Sequence, residues 1–294
     1  MAIFITSLNS GSNGNCYYVA NDREAILVDA GISCRETEKR MKRLGLSMDK
    51  VKAIFVSHEH GDHIRGIPVI SKKFRLPVYI TEATLQHGGF HLEKDLVRSF
   101  RAFEPVRIGE LTITPFPKLH DAADPYSFTV SGEEVTIGVF TDIGLPCTHV
   151  ISYFQLCHAA FLETNYDEDM LEQGGYPRHL KNRIRGGKGH LSNKQALELF
   201  TTHKPSFMSL LLLSHLSRDN NSPALVQELF DEHAGDTRIV VASRYEETEV
   251  YAITAMSPVT GNQAKGLPLS GKPKKLMQAA TRPAVPKPVQ TSLF

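Results

Sequence analysis

The stretch Ala53-Ile54-Phe55-Val56-Ser57-His58-Glu59-His60-Gly61-Asp62-His63 decides how the chain is read. Ala53 to Val56 is a short apolar run of the kind that forms a buried strand, and His58, His60, Asp62 and His63 follow almost at once. Four metal-ligand side chains within six positions at a strand end predict a metal centre. Gly61 is expected to supply the turn that sends His58 and His60 to one side and Asp62 and His63 to the other. Two adjacent cation sites follow from that division. Imidazoles with one carboxylate suit zinc, manganese or iron and make a poor cage for calcium, which prefers oxygen throughout. The alternative is a solvated polar loop, against which the density of ligand types weighs.

A chain of 294 residues with 41% hydrophobic and 22% charged content can bury one large core. Its formal net charge of +1 gives no whole-molecule attraction for nucleic acid, so any hold on phosphates has to come from local basic patches. Cys16, Cys34, Cys147 and Cys157 show no CxxC spacing and are too sparse for a disulfide framework, which suits a reducing cytosol. The start lacks a basic leader, and the longest apolar run, near Phe207 to Leu213, is too short to span a bilayer. A cytoplasmic, non-membrane protein is expected.

Short strand-like runs at Ile3 to Leu8, Cys16 to Val19, Ala25 to Val28, Ala53 to Val56 and Val78 to Ile80 alternate with helical patterns at Arg35 to Leu44 and Ile64 to Phe74. The theme repeats. Strands are expected at Leu111 to Phe116, Ser127 to Val130, Val135 to Phe140, Ala159 to Leu162, Leu210 to Leu213 and Ile239 to Val241, with helices from Pro146, around Asp167 to Glu172 and over Asn193 to Phe200. This is an α/β layered domain over residues 1–255. From about Met256 the prolines, glycines and lysines of residues 256–294 cannot build a core, and a disordered tail is expected.

A dinuclear site needs more ligands than the first cluster holds, and further candidates stand at other strand ends: His120 after the Leu111 run, Asp142 after the Val135 run and His215 after the Leu210 run. Each alone could be a structural or surface residue. Asp142 is attractive as a carboxylate shared by two ions, because an anion between them screens their repulsion.

With these residues the sequence resembles the metallo-β-lactamase fold superfamily, whose HxHxDH pattern followed by a later His, an Asp and a final His is met by His58, His60, Asp62, His63, His120, Asp142 and His215. The resemblance implies a four-layer αββα sandwich (α+β) with two mixed sheets and two divalent ions at one edge. His58, His60 and His120 would hold one ion, Asp62, His63 and His215 the other, with Asp142 shared. A finer resemblance, to the YycJ-like (WalJ) nuclease branch, rests on Ser10 to Cys16, His120 to Pro125, Gly189 to Asn193 and Ser214 to Asn221. It implies 5′-to-3′ exonuclease activity on DNA, linked to repair. By similarity to related phosphodiesterases, His190 would bind the scissile phosphate or protonate the leaving oxygen, and Glu163 would orient it. His190 as a plain helix-start residue is the alternative. The ions would supply a hydroxide at neutral pH, and Asp62 could also accept the nucleophile's proton.

Arg178, Lys181, Arg183, Arg185 and Lys188 form a cationic strip before His190 that suits a DNA or RNA backbone, unless it is only a solvated helix face. Ser12 and Asn13, with Asn15, could donate to a phosphate or simply close a hairpin. Gln290, Leu293 and Phe294 resemble the Gln-x-x-Leu-Phe peptides that dock on the bacterial sliding clamp. Rival readings are an RNA-processing nuclease, a thioester or lactone hydrolase, and a clamp-tethered scaffold without activity.

Overall fold

The computed structural model describes residues 2–255. The expectations for the tail, including Gln290, Leu293 and Phe294, lie outside the described residues.

The first half of the chain runs β1 (Ile3–Asn9), β2 (Cys16–Ala20), β3 (Ala25–Val28), α1 (Cys34–Arg43), β4 (Val51–Phe55), α2 (Gly61–Ile64), α3 (Ile67–Phe74), β5 (Val78–Tyr79), α4 (Glu82–His87) and β6 (Val97–Arg98). The second half runs β7 (Val106–Ile108), β8 (Leu111–Pro117), β9 (Tyr126–Gly132), β10 (Val135–Phe140), α5 (Thr148–Phe154), β11 (Ala159–Glu163), α6 (Glu168–Gln173), α7 (Arg178–Arg185), α8 (Asn193–His203), β12 (Leu210–Ser214), α9 (Pro223–Asp231), β13 (Arg238–Val241) and β14 (Tyr251–Ile253). Among the described residues these strands form two seven-stranded sheets, β14-β1-β2-β3-β4-β5-β6 and β13-β12-β11-β10-β9-β8-β7. Both are mixed. Pairing changes from antiparallel to parallel at β3 in the first sheet and at β10 in the second.

Alternation along the strands explains the layers, because successive side chains point to opposite faces. Ile5, Tyr17, Ile26 and Phe55 of the first sheet meet Ile113, Phe128, Phe161 and Leu212 of the second. Tyr17 and Phe161 lie 4.8 Å apart by ring centroid, and Phe55 and Phe128 lie 5.7 Å apart. The opposite-facing Tyr18, Leu27, Ile54 and Val56 are covered by Met41 of α1 and Ile67 and Ile70 of α3. Phe140, Leu162, Leu211 and Leu213 are covered by Val150 of α5, Leu199 and Phe200 of α8, and Val226 and Phe230 of α9. Three apolar layers between four structural ones make the expected αββα sandwich.

Two local expectations change. The helical pattern from Ile64 to Phe74 is two helices broken at Gly66, where a Cβ would lie 2.0 Å from the Ile32 carbonyl oxygen; the backbone crosses too closely there for any side chain. Gly61 does not make the turn in the first cluster. A Cβ added to it would meet nothing within 4 Å, and the bend is the start of α2 itself, with the His63 amide donating to the His60 carbonyl at 2.8 Å. Edge strands β6, β7 and β14, of two or three residues, carry too little pattern to be read. No helix among the described residues is long and apolar enough to cross a membrane.

Phe161 is fully buried between the sheets. Phe161→Ala is expected to destabilise the domain by about 3–5 kcal/mol in urea unfolding through the cavity it leaves; a loss below about 1 kcal/mol would show that the two sheets close over the gap.

Candidate metal centre

The strands running one way all end on one rim, and their final turns carry the chemistry. Asp29 follows β3, the His58 to His63 run follows β4, His120 follows β8, Asp142 follows β10, Glu163 ends β11 and His215 follows β12. Loops at the carboxyl ends of strands, near the point where pairing changes direction, are the usual place for a site in such sheets.

The seven expected ligands come together. Donor atoms of His58, His60 and His120 lie within 4.8 Å of one another, as do those of Asp62, His63 and His215, and those of His58, His63 and Asp142. The ring nitrogens turned away from this centre are occupied. His63 Nδ1 faces Asp29 Oδ2 at 2.7 Å, His215 Nδ1 faces Glu163 Oε1 at 3.0 Å, His120 Nδ1 faces the Gly189 carbonyl at 3.0 Å, and His58 Nδ1 faces Ser57 Oγ at 2.9 Å. Assigning those nitrogens as donors leaves the four Nε2 lone pairs pointing inward. This is the arrangement by which proteins fix the tautomer and aim of metal-binding histidines. Asp142 Oδ2, 3.1 Å from His63 Nε2, is a buried oxygen with no hydrogen-bond partner of its own. Inward lone pairs beside an unpartnered carboxylate oxygen fit divalent cations.

The protonation equilibria point the same way. Burial opposes charge on His63, yet Asp142, Asp29 and Asp62 together raise its pKa to about 10. His215 is likewise raised, against its burial, by Asp142, Asp62 and Glu163. Burial resists ionisation of Asp62, which the His63 and His215 imidazoles nonetheless hold down at about 2. Asp142 lies far below the ordinary carboxylate range because His215 and His63 outweigh its burial. Burial, reinforced by His63 and Lys118, keeps His58 neutral, and burial with Lys118 outweighs Asp142 to lower His120 to about 4. The pocket therefore demands positive charge around Asp62 and Asp142 and offers neutral imidazoles beside it.

His190 stands at the edge. Its Nδ1 lies 2.7 Å from Glu163 Oε1, and Glu163 Oε2 accepts from the amides of Ile143 at 2.6 Å and Leu191 at 3.2 Å. One buried carboxylate thus orients both His190 and His215; burial resists its ionisation, and the nearby His190 imidazole, with the hydrogen bonds from His190 and His215, outweighs that and holds its pKa at about 2. His190, His60, Asp62, Asp142 and His215 open into a cleft of about 400 Å³, also bordered by Ser12, Ser217 and the Leu180, Arg183 and Ile184 side chains of α7.

The other expected substrate residues divide. Arg183 borders the cleft and pairs with Asp121. Arg178, Lys181 and Arg185 line a neighbouring groove of about 720 Å³, which shares Tyr176 with the cleft. Lys188 is exposed and borders neither. Asn13 turns back to donate to the Arg244 carbonyl at 2.9 Å, a contact within the fold. Asn15 is the residue of that turn that reaches the centre, its Nδ2 lying 3.2 Å from Asp62 Oδ2 and 3.1 Å from His63 Nε2. Sequence reading passed over Asp29, Ser57 and the buried Lys118, although Asp29 stands directly after the apolar run of β3, as Asp142 does after that of β10.

The family model described as Beta-lactamase superfamily domain matches residues 24–215. The chain is 33% identical over 230 residues to the exodeoxyribonuclease YycJ of Bacillus anthracis, covering 77% of this chain and 87% of that protein. It is 29% identical over 219 residues to the exodeoxyribonuclease WalJ of Streptococcus pneumoniae, covering 73% and 81%. Its structure is similar to the metallo-β-lactamase fold protein YhfI of Bacillus subtilis, with a TM-score of 0.67 at 18% identity, covering 86% of this chain and 100% of that one.

Gly31 tests how tightly this centre is built. A Cβ there would come within 1.7 Å of the Asp62 carbonyl oxygen and 2.8 Å of the Asn15 amide nitrogen. Gly31→Ala must displace the Asp62 backbone and is expected to weaken zinc affinity about 10- to 100-fold in a chelator competition; unchanged affinity would show that the ligand loop tolerates the shift.

Proposed function

We propose, given that this chain belongs to the β-lactamase superfamily domain family, that it is a metal-dependent nuclease removing nucleotides from DNA in the 5′-to-3′ direction, in the service of repair. The observation that carries this reading is one cleft into which the seven expected ligands gather, a carboxylate-backed histidine, His190, beyond those seven, and a helix whose cations lie beside it. A small ester or lactone has no use for the last feature, whereas a phosphodiester chain does. Similarity to two exodeoxyribonucleases supports the choice of DNA.

His58, His60 and His120 would hold one ion and Asp62, His63 and His215 the other, with Asp142 between. Divalent ions such as zinc or manganese supply Lewis acidity there, acidifying water and screening phosphate charge. The side chains do the rest. Asp62, kept ionised and mostly buried but bordering the cleft, can take a proton from the attacking water. Glu163 fixes the His190 ring so that Nε2 faces the cleft, and in its protonated state that nitrogen can deliver a proton to the departing oxygen. Leu180 and Ile184 give the cleft an apolar wall against which a base can rest while Arg183 and its neighbours on α7 receive the backbone. A cytoplasmic location fits the four free cysteines. Gln290, Leu293 and Phe294 would dock the chain on the sliding clamp and so concentrate it at replicating DNA.

The test is a time course with manganese or zinc on DNA and RNA, duplex and single-stranded, labelled at either end. Release of mononucleotides from the 5′ end of DNA is expected; internal cuts in RNA would favour a processing enzyme, and no cleavage would sink the reading. Asp142→Ala should lose metal and activity together. His190→Ala should keep its metal while kcat falls about 10²- to 10⁴-fold. Deleting residues 290–294 should leave cleavage of naked DNA intact and abolish clamp pull-down; retained pull-down would rule the peptide out.

A further inference from the structure

The cations of α7 are largely spoken for: Arg183 pairs with Asp121 and Arg185 with Glu172, and Lys181 donates to the Glu172 carbonyl. A different pair of arginines, set against the turn that carries the cleft residue Ser12, is not. Among the described residues, neither Arg244 nor Arg65 has a carboxylate within 4.0 Å. Both lie against the turn between β1 and β2. Arg244 Nη2 is 3.3 Å from Ser12 Oγ, and Ser12 borders the cleft. Arg65 Nη1 approaches the Asn13 carbonyl at 3.4 Å.

The turn is shaped to receive Arg244. Gly11 has φ +136, and a Cβ on it would lie 2.8 Å from Arg244 Nη2 and 3.2 Å from Nε, so the guanidinium packs where a side chain would be. The backbone behind it is tied twice, by the Ser10 amide to the Ser243 carbonyl at 3.1 Å and by Asn13 Nδ2 to the Arg244 carbonyl at 2.9 Å. Its charge reaches the cleft edge, where it opposes burial and Asp219 in setting the Tyr176 phenol. An arginine held in place, hydrogen-bonded to a hydroxyl and lacking an anion presents a fork that matches phosphate oxygens.

We infer that Arg244, with Ser12 and the neighbouring Arg65, forms a second phosphate-binding position that grips the nucleic-acid backbone at the β1–β2 side of the cleft, separate from α7. This rests on the nuclease reading and adds to it two arginines, Arg244 and Arg65, that neither the motifs nor the strip contain. Nothing local pairs Arg244 with Ser12, which lies 232 positions away along the chain.

Counterion release supplies the measurement. Each phosphate contact adds about 0.7 to the slope of log affinity against log salt for a single strand. Binding of the manganese-loaded full chain to a cleavage-resistant phosphorothioate DNA strand would be followed by fluorescence anisotropy across a salt series. Arg244→Ala and Arg65→Ala should each lower the slope by about 0.7 and weaken binding several-fold at low salt, with the circular dichroism melt unchanged. Arg244→Lys should keep the slope, since the charge remains. Unchanged slopes in both alanine variants beside a steep slope for the unaltered chain would overturn this inference alone. A flat slope in the unaltered chain would overturn the nuclease reading and this contact with it.

Discussion

The structure depends on one electrostatic constraint: Asp29, Asp142 and Glu163 are almost wholly buried at the seam between the sheets, and Asp62 joins them there. Carboxylates removed from water are tolerated only when hydrogen-bonded and matched by positive charge. Protein groups meet part of the demand. The Ser57 amide and hydroxyl serve Asp29 at 2.8 and 2.7 Å, and the Ile143 and Leu191 amides serve Glu163. Lys118 supplies a buried ammonium whose pKa falls through burial despite Asp142 and Asp29, and it is anchored on the Thr141 carbonyl at 2.6 Å. That still leaves more carboxyl groups than lysines, and the excess is what raises the His63 and His215 pKa values, a demand that bound cations would meet in place of protons. Sheets, turns and helices are arranged so that this one imbalance falls in one place.

Backbone geometry carries the same signature. Of the non-glycine residues with left-handed φ, Asp29 at 58°, Asp142 at 54° and His215 at 57° all belong to the seam. Each ends a strand by turning sharply, which swings its side chain over the rim instead of letting it continue along the sheet face. Asp and His tolerate this conformation better than most residues, yet it still costs free energy. Strain at three of the residues that build the centre, compensated by three fully packed apolar layers, is a division between a stabilising body and a site held in a less favourable shape.

Much of this is written in the sequence wherever the signal is local. Apolar runs located β3, β4, β8, β10, β11 and β12, ligand-type residues at the ends of β4, β8, β10 and β12 marked one rim, and the spacing of His58, His60, Asp62 and His63 put four donors in one turn of chain. What was not legible is pairing across distance. Asn13 and Asn15 are the same residue type two positions apart, and only the crossing of the β1–β2 turn with residue 244 on one side and Asp62 on the other gives one a structural task and the other a place at the centre. Gly61 looks like a turn residue and is dispensable as one, whereas Gly31 and Gly66, unremarked in the sequence, are where backbones cross within reach of no side chain.

The centre and the cations around it act in sequence. With a formal net charge of +1, the chain draws a polyanion only by local charge, and its donor set holds two ionised carboxylates whose charge the His63 and His215 imidazoles share. On the proposed reading, the ionised carboxylates would repel phosphate at the point where a phosphodiester must come to rest, while Arg244, beside the cleft residue Ser12, would attract it at the cleft edge. Neutralising the carboxylates removes that repulsion, and because binding free energies are reciprocal, a backbone settled in the cleft in turn favours cations in the donor set. With basic groups at the margin and acidic ones at the bottom, occupancy of the centre would become a condition for productive binding as well as for the proposed chemistry.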